Sequence, residues 1–115
     1  MKYQLLCKEC NSTFSADTGL YVCPICQSRL EIRYTNLEYE FIKCNSLFGI
    51  FKYFSKLPIL NEKSIISFGE GNTPVILLEK DSEGTEIWIK NESLNPTGTY
   101  KDRPASVSVS KAKEL

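Results

Sequence analysis

The chain has 115 residues, of which 42% are apolar and 24% charged, the composition of a globular protein rather than a disordered one. Its 14 basic and 14 acidic residues cancel, which leaves no electrostatic basis for nucleic-acid binding. The absence of histidine excludes Ser-His-Asp and Cys-His catalytic arrangements within this sequence. No apolar run reaches the length of a membrane span and no signal-peptide core is present, so we predict a cytoplasmic protein.

Four of the five cysteines form two Cys-x-x-Cys pairs near the start of the sequence. Cys7 and Cys10 make the first pair, Cys23 and Cys26 the second, and 12 residues separate them. Two such pairs can supply the four thiolates of a closed tetrahedral site, so we predict a structural zinc ion, with iron or a redox dithiol as the alternatives. Cys44 lies outside this spacing and is predicted to be a partly buried thiol.

The runs STF, LYV and RLEIRY around the cysteine pairs predict short strands, so the segment is expected to form a zinc ribbon. A segment of about 35 residues buries too little apolar surface to fold without a stabilising metal ion. Basic and acidic residues alternate along it, which favours a structural role over contact with nucleic acid.

Apolar residues recur at helical spacing after the ribbon, with Ser46 as a possible N-cap and Pro58 as the stop. They are Leu47, Ile50, Phe51 and Phe54. Residues 55–68 are expected to be an irregular connector, which leads into the turn-rich run FGEGNTP.

The runs VILLEK and EIWIK predict two strands joined by the charged turn DSEG. The segment from Asp102 to Leu115 then predicts a helix with Ala105, Val109 and Ala112 along one face.

The run NPTGTYKDR places Lys101 at the junction between a turn and this helix. The helix dipole and the nearby Arg103 are expected to lower the pKa of the lysine, and only a neutral amine forms a Schiff base with an aldehyde. Gly98 would let the backbone approach a flat ring, with the hydroxyls of Thr97 and Thr99 beside it. From these residues alone, an exposed lysine beside a helix cap is the simpler interpretation.

Three motifs carry a resemblance to a known family: KLP at residues 56–58, GEGNTP at 69–74 and IKNESLNPTGTYKDR at 89–103. Together with the cysteine ribbon, their order resembles that of the threonine synthases and related pyridoxal-phosphate enzymes. The resemblance implies a zinc ribbon followed by the start of an α/β fold-type II pyridoxal-phosphate domain, incomplete at its C-terminus. The expected divisions are residues 1–36, 37–68 and 69–115.

Through this resemblance, Lys101 corresponds to the lysine that forms the Schiff base with pyridoxal phosphate. Thr97, Gly98, Thr99 and Tyr100 correspond to the wall around it. Three positions differ from the family pattern: Thr-Tyr replaces Ser-Phe before the lysine, and Pro104 replaces a glycine after it.

The resemblance also implies the activity of the full-length enzyme: a lyase of threonine biosynthesis that converts O-phospho-L-homoserine and water to L-threonine and phosphate. The expected partner is that small amino-acid substrate, without nucleic acid or membrane, in an undetermined oligomeric state. The family is far longer than this chain, so we expect a fragment or a truncated frame that is inactive alone and exposes the apolar face of its last helix. The alternatives are a cysteate synthase-like or diaminopropionate lyase-like enzyme, or a stand-alone zinc-ribbon interaction module.

Overall fold

The computed structural model describes residues 2–35, 44 and 46–115. Its first part is an antiparallel three-stranded sheet in the order β2-β1-β3. The strands are β1 (Tyr3–Cys7), β2 (Thr13–Ser15) and β3 (Leu30–Tyr34). The runs STF and RLEIRY therefore form strands as predicted.

The prediction of a strand for LYV is wrong. Only a single bridge, between Val22 and Arg29, forms there. The turn of the second cysteine pair begins at once, because the Cys23 N–H already donates to the carbonyl of Ser28 at 2.7 Å. The central strand is instead β1, which the sequence reasoning did not identify.

The apolar segment after the ribbon forms a 3-10 helix, Gly49–Lys56, and not an α-helix beginning after Ser46. Its N-cap residue is Phe48, and no side chain caps it. The Ser46 hydroxyl lies 3.1 Å from the Cys44 thiol instead. Gly49 begins the helix at φ +59°, a conformation that suits glycine and prevents the helix from starting earlier.

The core lies where the ribbon meets this helix and the connector that follows. Tyr3, Phe51 and Ile59 are almost completely buried. The hydroxyl of Tyr3 donates to the carbonyl of Pro58 at 2.9 Å, and that of Tyr34 donates to the carbonyl of Lys56 at 2.5 Å. The ribbon is therefore packed against the rest of the described chain.

The connector contains a short 3-10 turn, Glu62–Ser64, and leads to a hairpin of β4 (Val75–Lys80) and β5 (Glu86–Lys90), as predicted. The register shifts between Leu77 and Glu79, where β4 bulges. Apolar side chains on both faces of the hairpin are between 42% and 62% exposed. These are Val75, Ile76, Leu77, Leu78, Ile87, Trp88 and Ile89.

A third 3-10 turn, Glu92–Leu94, precedes the final helix α1, which spans Asp102–Glu114 close to the predicted bounds. The face of α1 that packs is polar: Asp102, Ser106 and Ser110 are buried. The hydroxyl of Ser110 donates to the carbonyl of Ser106 at 2.7 Å and accepts the N–H of Ile66 at 2.8 Å.

The predicted apolar face of α1, formed by residues 105, 109 and 112, is exposed. This agrees with the expectation of an uncovered face. The division into three segments stays a prediction, and its first boundary falls outside the described residues. No helix in the described ranges has the length and apolar character that crossing a membrane requires.

Candidate functional site

The four paired cysteines converge at one end of the ribbon. Their sulfur atoms all lie within 4.8 Å of one another. The Sγ atoms of Cys7 and Cys26 are 3.4 Å apart, and those of Cys10 and Cys23 are 3.6 Å apart. Cys7 and Cys23 are fully buried, whereas Cys26 lies at the surface.

The two cysteine pairs have the same local geometry. In the first turn the Cys7 N–H donates to the carbonyl of Ser12 at 2.9 Å, which matches the bond from Cys23 to Ser28 in the second turn. A residue with positive φ follows the second cysteine of each pair, at φ 57° and 61°. The pattern Cys-x-x-Cys-x-Ser occurs twice in the sequence, and this repeat is the signal that could have predicted the shared turn.

The serines of these turns act on the thiols beside them. The side chain and backbone of Ser12 hold the pKa of Cys10 at about 6. The side chain of Ser28 likewise lowers the pKa of Cys26. For Cys7, the backbone N–H of Cys10 favours the thiolate, but burial and the neighbouring thiols outweigh it and raise the pKa to about 11.

This donor set fits a tetrahedral zinc ion. A Zn–S bond of about 2.3 Å puts the sulfurs of a tetrahedral site about 3.8 Å apart, close to the separations found here. The lowered pKa values of Cys10 and Cys26 favour the thiolate form that binds metal. A site closed by four thiolates leaves no position for water, so its chemistry would be structural.

The loop before α1 carries the second group of predicted site residues. Lys101 is exposed and occupies the N-cap position of α1, without a side-chain capping bond. Asp102 follows it, almost completely buried, and its carboxylate accepts the backbone N–H of Thr97 at 2.8 Å and the hydroxyl of the same residue. An anion thus occupies the first turn of α1, where the helix dipole favours it.

The other predicted wall residues are placed as follows. The Thr97 hydroxyl donates to the carboxylate of Asp102, so the Thr97 side chain stabilises the loop conformation. The Thr99 hydroxyl accepts the backbone N–H of Lys101 at 3.3 Å, and Tyr100 is 61% exposed. Gly98 has φ +76°, which a residue with a side chain adopts only with strain.

Side-chain hydrogen bonds join this loop and the start of α1 to the GEGNTP segment and to the 3-10 turn before the loop. The buried Asn95 accepts the N–H of Gly71 through its side-chain oxygen at 2.9 Å, and its amide group donates to the carboxylate of Glu92 at 3.0 Å. Glu92 also accepts two bonds from the guanidinium of Arg103, from Nε and Nη2, each at 2.7 Å. Such a two-bond pairing fixes the orientation of both side chains.

The acidic partner in this pairing is strongly stabilised as an anion. Hydrogen bonds from Arg103, and then from the Thr73 hydroxyl at 2.5 Å, hold the pKa of Glu92 well below its usual range. Sequence reasoning assigned no role to Thr73, Glu92, Asn95 or Asp102, and expected Arg103 to act on Lys101. The signal was available, because the first three lie in the motifs GEGNTP and KNESLNP.

Comparison with known proteins gives a family match for the C-terminal part of the chain. Residues 66–115 match a family described as pyridoxal-phosphate dependent enzyme. This segment is similar to the pyridoxal-phosphate-dependent enzymes. The match includes the hairpin, the Lys101 loop and α1, and it confirms the expectation that the full-length family consists of enzymes.

Three relatives extend the comparison. The chain is 38% identical over 120 residues to a threonine synthase of Methanocaldococcus jannaschii, covering 95% of this chain and 29% of that protein. It is 34% identical over 122 residues to a threonine synthase of Methanosarcina acetivorans, covering 98% of this chain and 29% of that protein. A 2-amino-4-ketopentanoate thiolase beta subunit from an unknown prokaryotic organism is 46% identical over 57 residues, 41% of this chain and 12% of that protein.

The two threonine synthases confirm the predicted resemblance, and the alignments with both include the cysteine ribbon. The chain spans less than a third of the length of these curated relatives. No solved structure gave a significant match.

Proposed function

We propose that this chain supplies the zinc ribbon and the Schiff-base lysine of a threonine synthase-like enzyme of the cytoplasm. The reaction proposed for the full-length enzyme is the conversion of O-phospho-L-homoserine and water to L-threonine and phosphate, catalysed by a pyridoxal-phosphate-dependent lyase of fold type II. The observation that carries the proposal is the similarity to two threonine synthases over at least 95% of this chain.

The local geometry supports Lys101 as the reactive amine. The side chain is exposed at the start of α1, while the loop that carries it is fixed through Asn95, Asp102 and Arg103. A fixed backbone with an accessible amine suits a lysine that binds an aldehyde and later moves a proton. Pyridoxal phosphate, when bound, supplies the electron sink for the reaction.

Residues 97–100 are proposed to line the site around that lysine. Asp102 would be a positioning residue, because its carboxylate accepts hydrogen bonds from the backbone and hydroxyl of Thr97 and so stabilises the turn that precedes Lys101. Cys7, Cys10, Cys23 and Cys26 would hold zinc, which stabilises the ribbon against the connector.

Borohydride reduction of the natural protein tests the proposal, because it fixes pyridoxal phosphate irreversibly on the amine that has bound it. We expect a peptide that contains Lys101 to carry the reduced cofactor. Lys101→Ala should abolish this labelling, and Lys113→Ala, a change on the same helix, should leave it intact. Labelling that persists in Lys101→Ala would place the reactive amine elsewhere.

The substrate is tested separately with the enzyme purified from its own cell. We expect phosphate and L-threonine to appear in equal amounts from O-phospho-L-homoserine. Labelling of Lys101 without this activity would favour a related pyridoxal-phosphate enzyme. The packing of Tyr3 and Tyr34 against the connector favours a ribbon integrated with the rest of the chain over a stand-alone interaction module.

A further inference from the structure

A cavity of about 500 Å³ opens beside the GEGNTP segment, with three cationic side chains in its lining. Lys52 comes from the first 3-10 helix, Lys90 from the end of β5 and Arg103 from the first turn of α1. Asn72 and Thr73 form the wall between them. Three separate elements thus bring positive charge to one concave surface.

The positive charge in this cavity is only partly neutralised. Arg103 is paired with Glu92, and the ammonium group of Lys90 lies 3.9 Å from the same carboxylate. The buried Glu70 is a second anion near Arg103, since its charge contributes to raising the pKa of the guanidinium. Among the residues that the structure describes, these three cations therefore lie near two carboxylates, which leaves a surplus of one positive charge.

The surplus is located at Lys52. Its ammonium group donates to the side-chain oxygen of Asn72 at 3.1 Å and lies 5.9 Å from the ring of Phe48. Among the residues that the structure describes, no carboxylate forms an ion pair with it. An ammonium group has three N–H donors, so Lys52 retains donors that these contacts do not use.

Lys90 offers the same chemistry on the other side of the cavity. Its ammonium group donates to the backbone carbonyl of Thr73 at 2.9 Å, which orients it along the wall. Its side chain is 50% exposed, so its remaining donors are accessible from solvent. Two oriented ammonium groups around a polar concavity suit a compact anion with several acceptor oxygens.

We propose that this cavity binds a small phosphate-type oxyanion, either free phosphate or a phosphate monoester, between Lys52 and Lys90. Such an anion carries between one and two negative charges at neutral pH, so it can interact favourably with both ammonium groups, whose one carboxylate contact is long. The site is formed by residues other than Lys101. The inference therefore does not depend on the proposed reaction and can fail separately from it.

Titration of the 115-residue chain with inorganic phosphate, followed by two-dimensional amide NMR at constant ionic strength, tests the proposal. We expect saturable shifts of the backbone amides of Asn72 and Thr73. Lys52→Gln should weaken phosphate binding at least fivefold, because it removes one unit charge next to a dianion. Lys80→Gln is the control, since Lys80 is an exposed lysine already paired with Glu86 at 3.0 Å and does not line the cavity.

A second titration with glycerol phosphate separates the two sources of the anion. Saturable binding of either compound at this cavity supports the proposal, and a preference for one identifies whether the site takes the free ion or the ester. If sodium chloride at equal ionic strength reproduces the shifts, or if Lys52→Gln and Lys90→Gln both bind phosphate as tightly as the unmodified chain, the proposal is overturned. The amide spectrum of each variant reports directly whether the fold is retained.

Discussion

Gly71 lies where the GEGNTP segment packs against the start of the first 3-10 helix. A Cβ atom added there would lie 2.9 Å from the Cα of Gly49, 3.1 Å from the backbone nitrogen of Ile50 and 3.1 Å from Nη1 of Arg103. Its φ of +90° is also a conformation that residues with a side chain rarely adopt. Gly71→Ala therefore combines two costs, backbone strain and crowding.

A second glycine in the same motif separates these costs. Gly69 has φ +94°, but a Cβ atom added there meets no atom within 4 Å. The backbone strain common to both positions is about 1–3 kcal/mol. Crowding of a packed contact adds about 1–3 kcal/mol at Gly71. We expect Gly69→Ala to lower the free energy of unfolding by about 1–3 kcal/mol, and Gly71→Ala by about 2–6 kcal/mol.

Urea denaturation followed by far-ultraviolet circular dichroism measures both variants against the unmodified chain. The difference between the two alanine variants isolates the close approach of the two backbone segments, because the strain cancels. Equal losses at the two positions would refute the reasoning. They would mean that the segment moves away from the helix at no cost, and that the contact between Gly71 and the Lys101 loop is not held tightly.

Three further predictions concern the ribbon and the salt bridge. Cys23→Ser should lower the zinc content below one ion per chain and destabilise the ribbon, whereas Cys44→Ser should leave the metal content unchanged. Atomic absorption and thermal unfolding measure these effects. A full zinc content in Cys23→Ser would contradict the prediction. Tyr3→Phe should lower the free energy of unfolding by about 1–2 kcal/mol, because it leaves a backbone carbonyl without its hydrogen-bond donor. Tyr21→Phe, at a side chain that is 79% exposed, should leave the free energy of unfolding unchanged in the same denaturation assay. Folding lowers the pKa of Glu92, so the ionised carboxylate stabilises the fold above the ordinary pKa of 4.5, and this stabilisation is lost as the pH falls through the lowered pKa. Glu92→Gln should therefore make the free energy of unfolding depend less on pH on the acid side. An unchanged slope would argue against the pairing with Arg103.

Local spacing in the sequence was sufficient for several elements. The four cysteines, the hairpin and α1 were all predicted from short-range patterns, because a Cys-x-x-Cys turn, a turn between two strands and a helix with proline in its first turn each depend on neighbouring residues. The same reasoning placed Lys101 at the start of the helix. These features would be expected in any fold that contains the segment.

The sequence patterns failed where distant residues decide the conformation. The helix expected after Ser46 begins instead at Gly49, because the carbonyl of Glu70 passes so close that only a glycine fits at that position. Likewise α1 packs through Ser106 and Ser110 and not through an apolar stripe, because the hydroxyl of Ser110 can bond to the backbone of Ile66 across the contact.

The contacts around the Lys101 loop also depend on the tertiary structure. Glu92 and Arg103 are 11 residues apart and Asn95 and Gly71 are 24 apart, and neither spacing has a periodicity that marks a pair in advance. The sequence by itself determined which residues could bind zinc and which lysine begins a helix. Only the folded chain decided that a partly buried salt bridge and its hydrogen bonds would hold the loop of that lysine. Such a network forms between segments that are distant in the sequence, and local conformational preference does not bring them together.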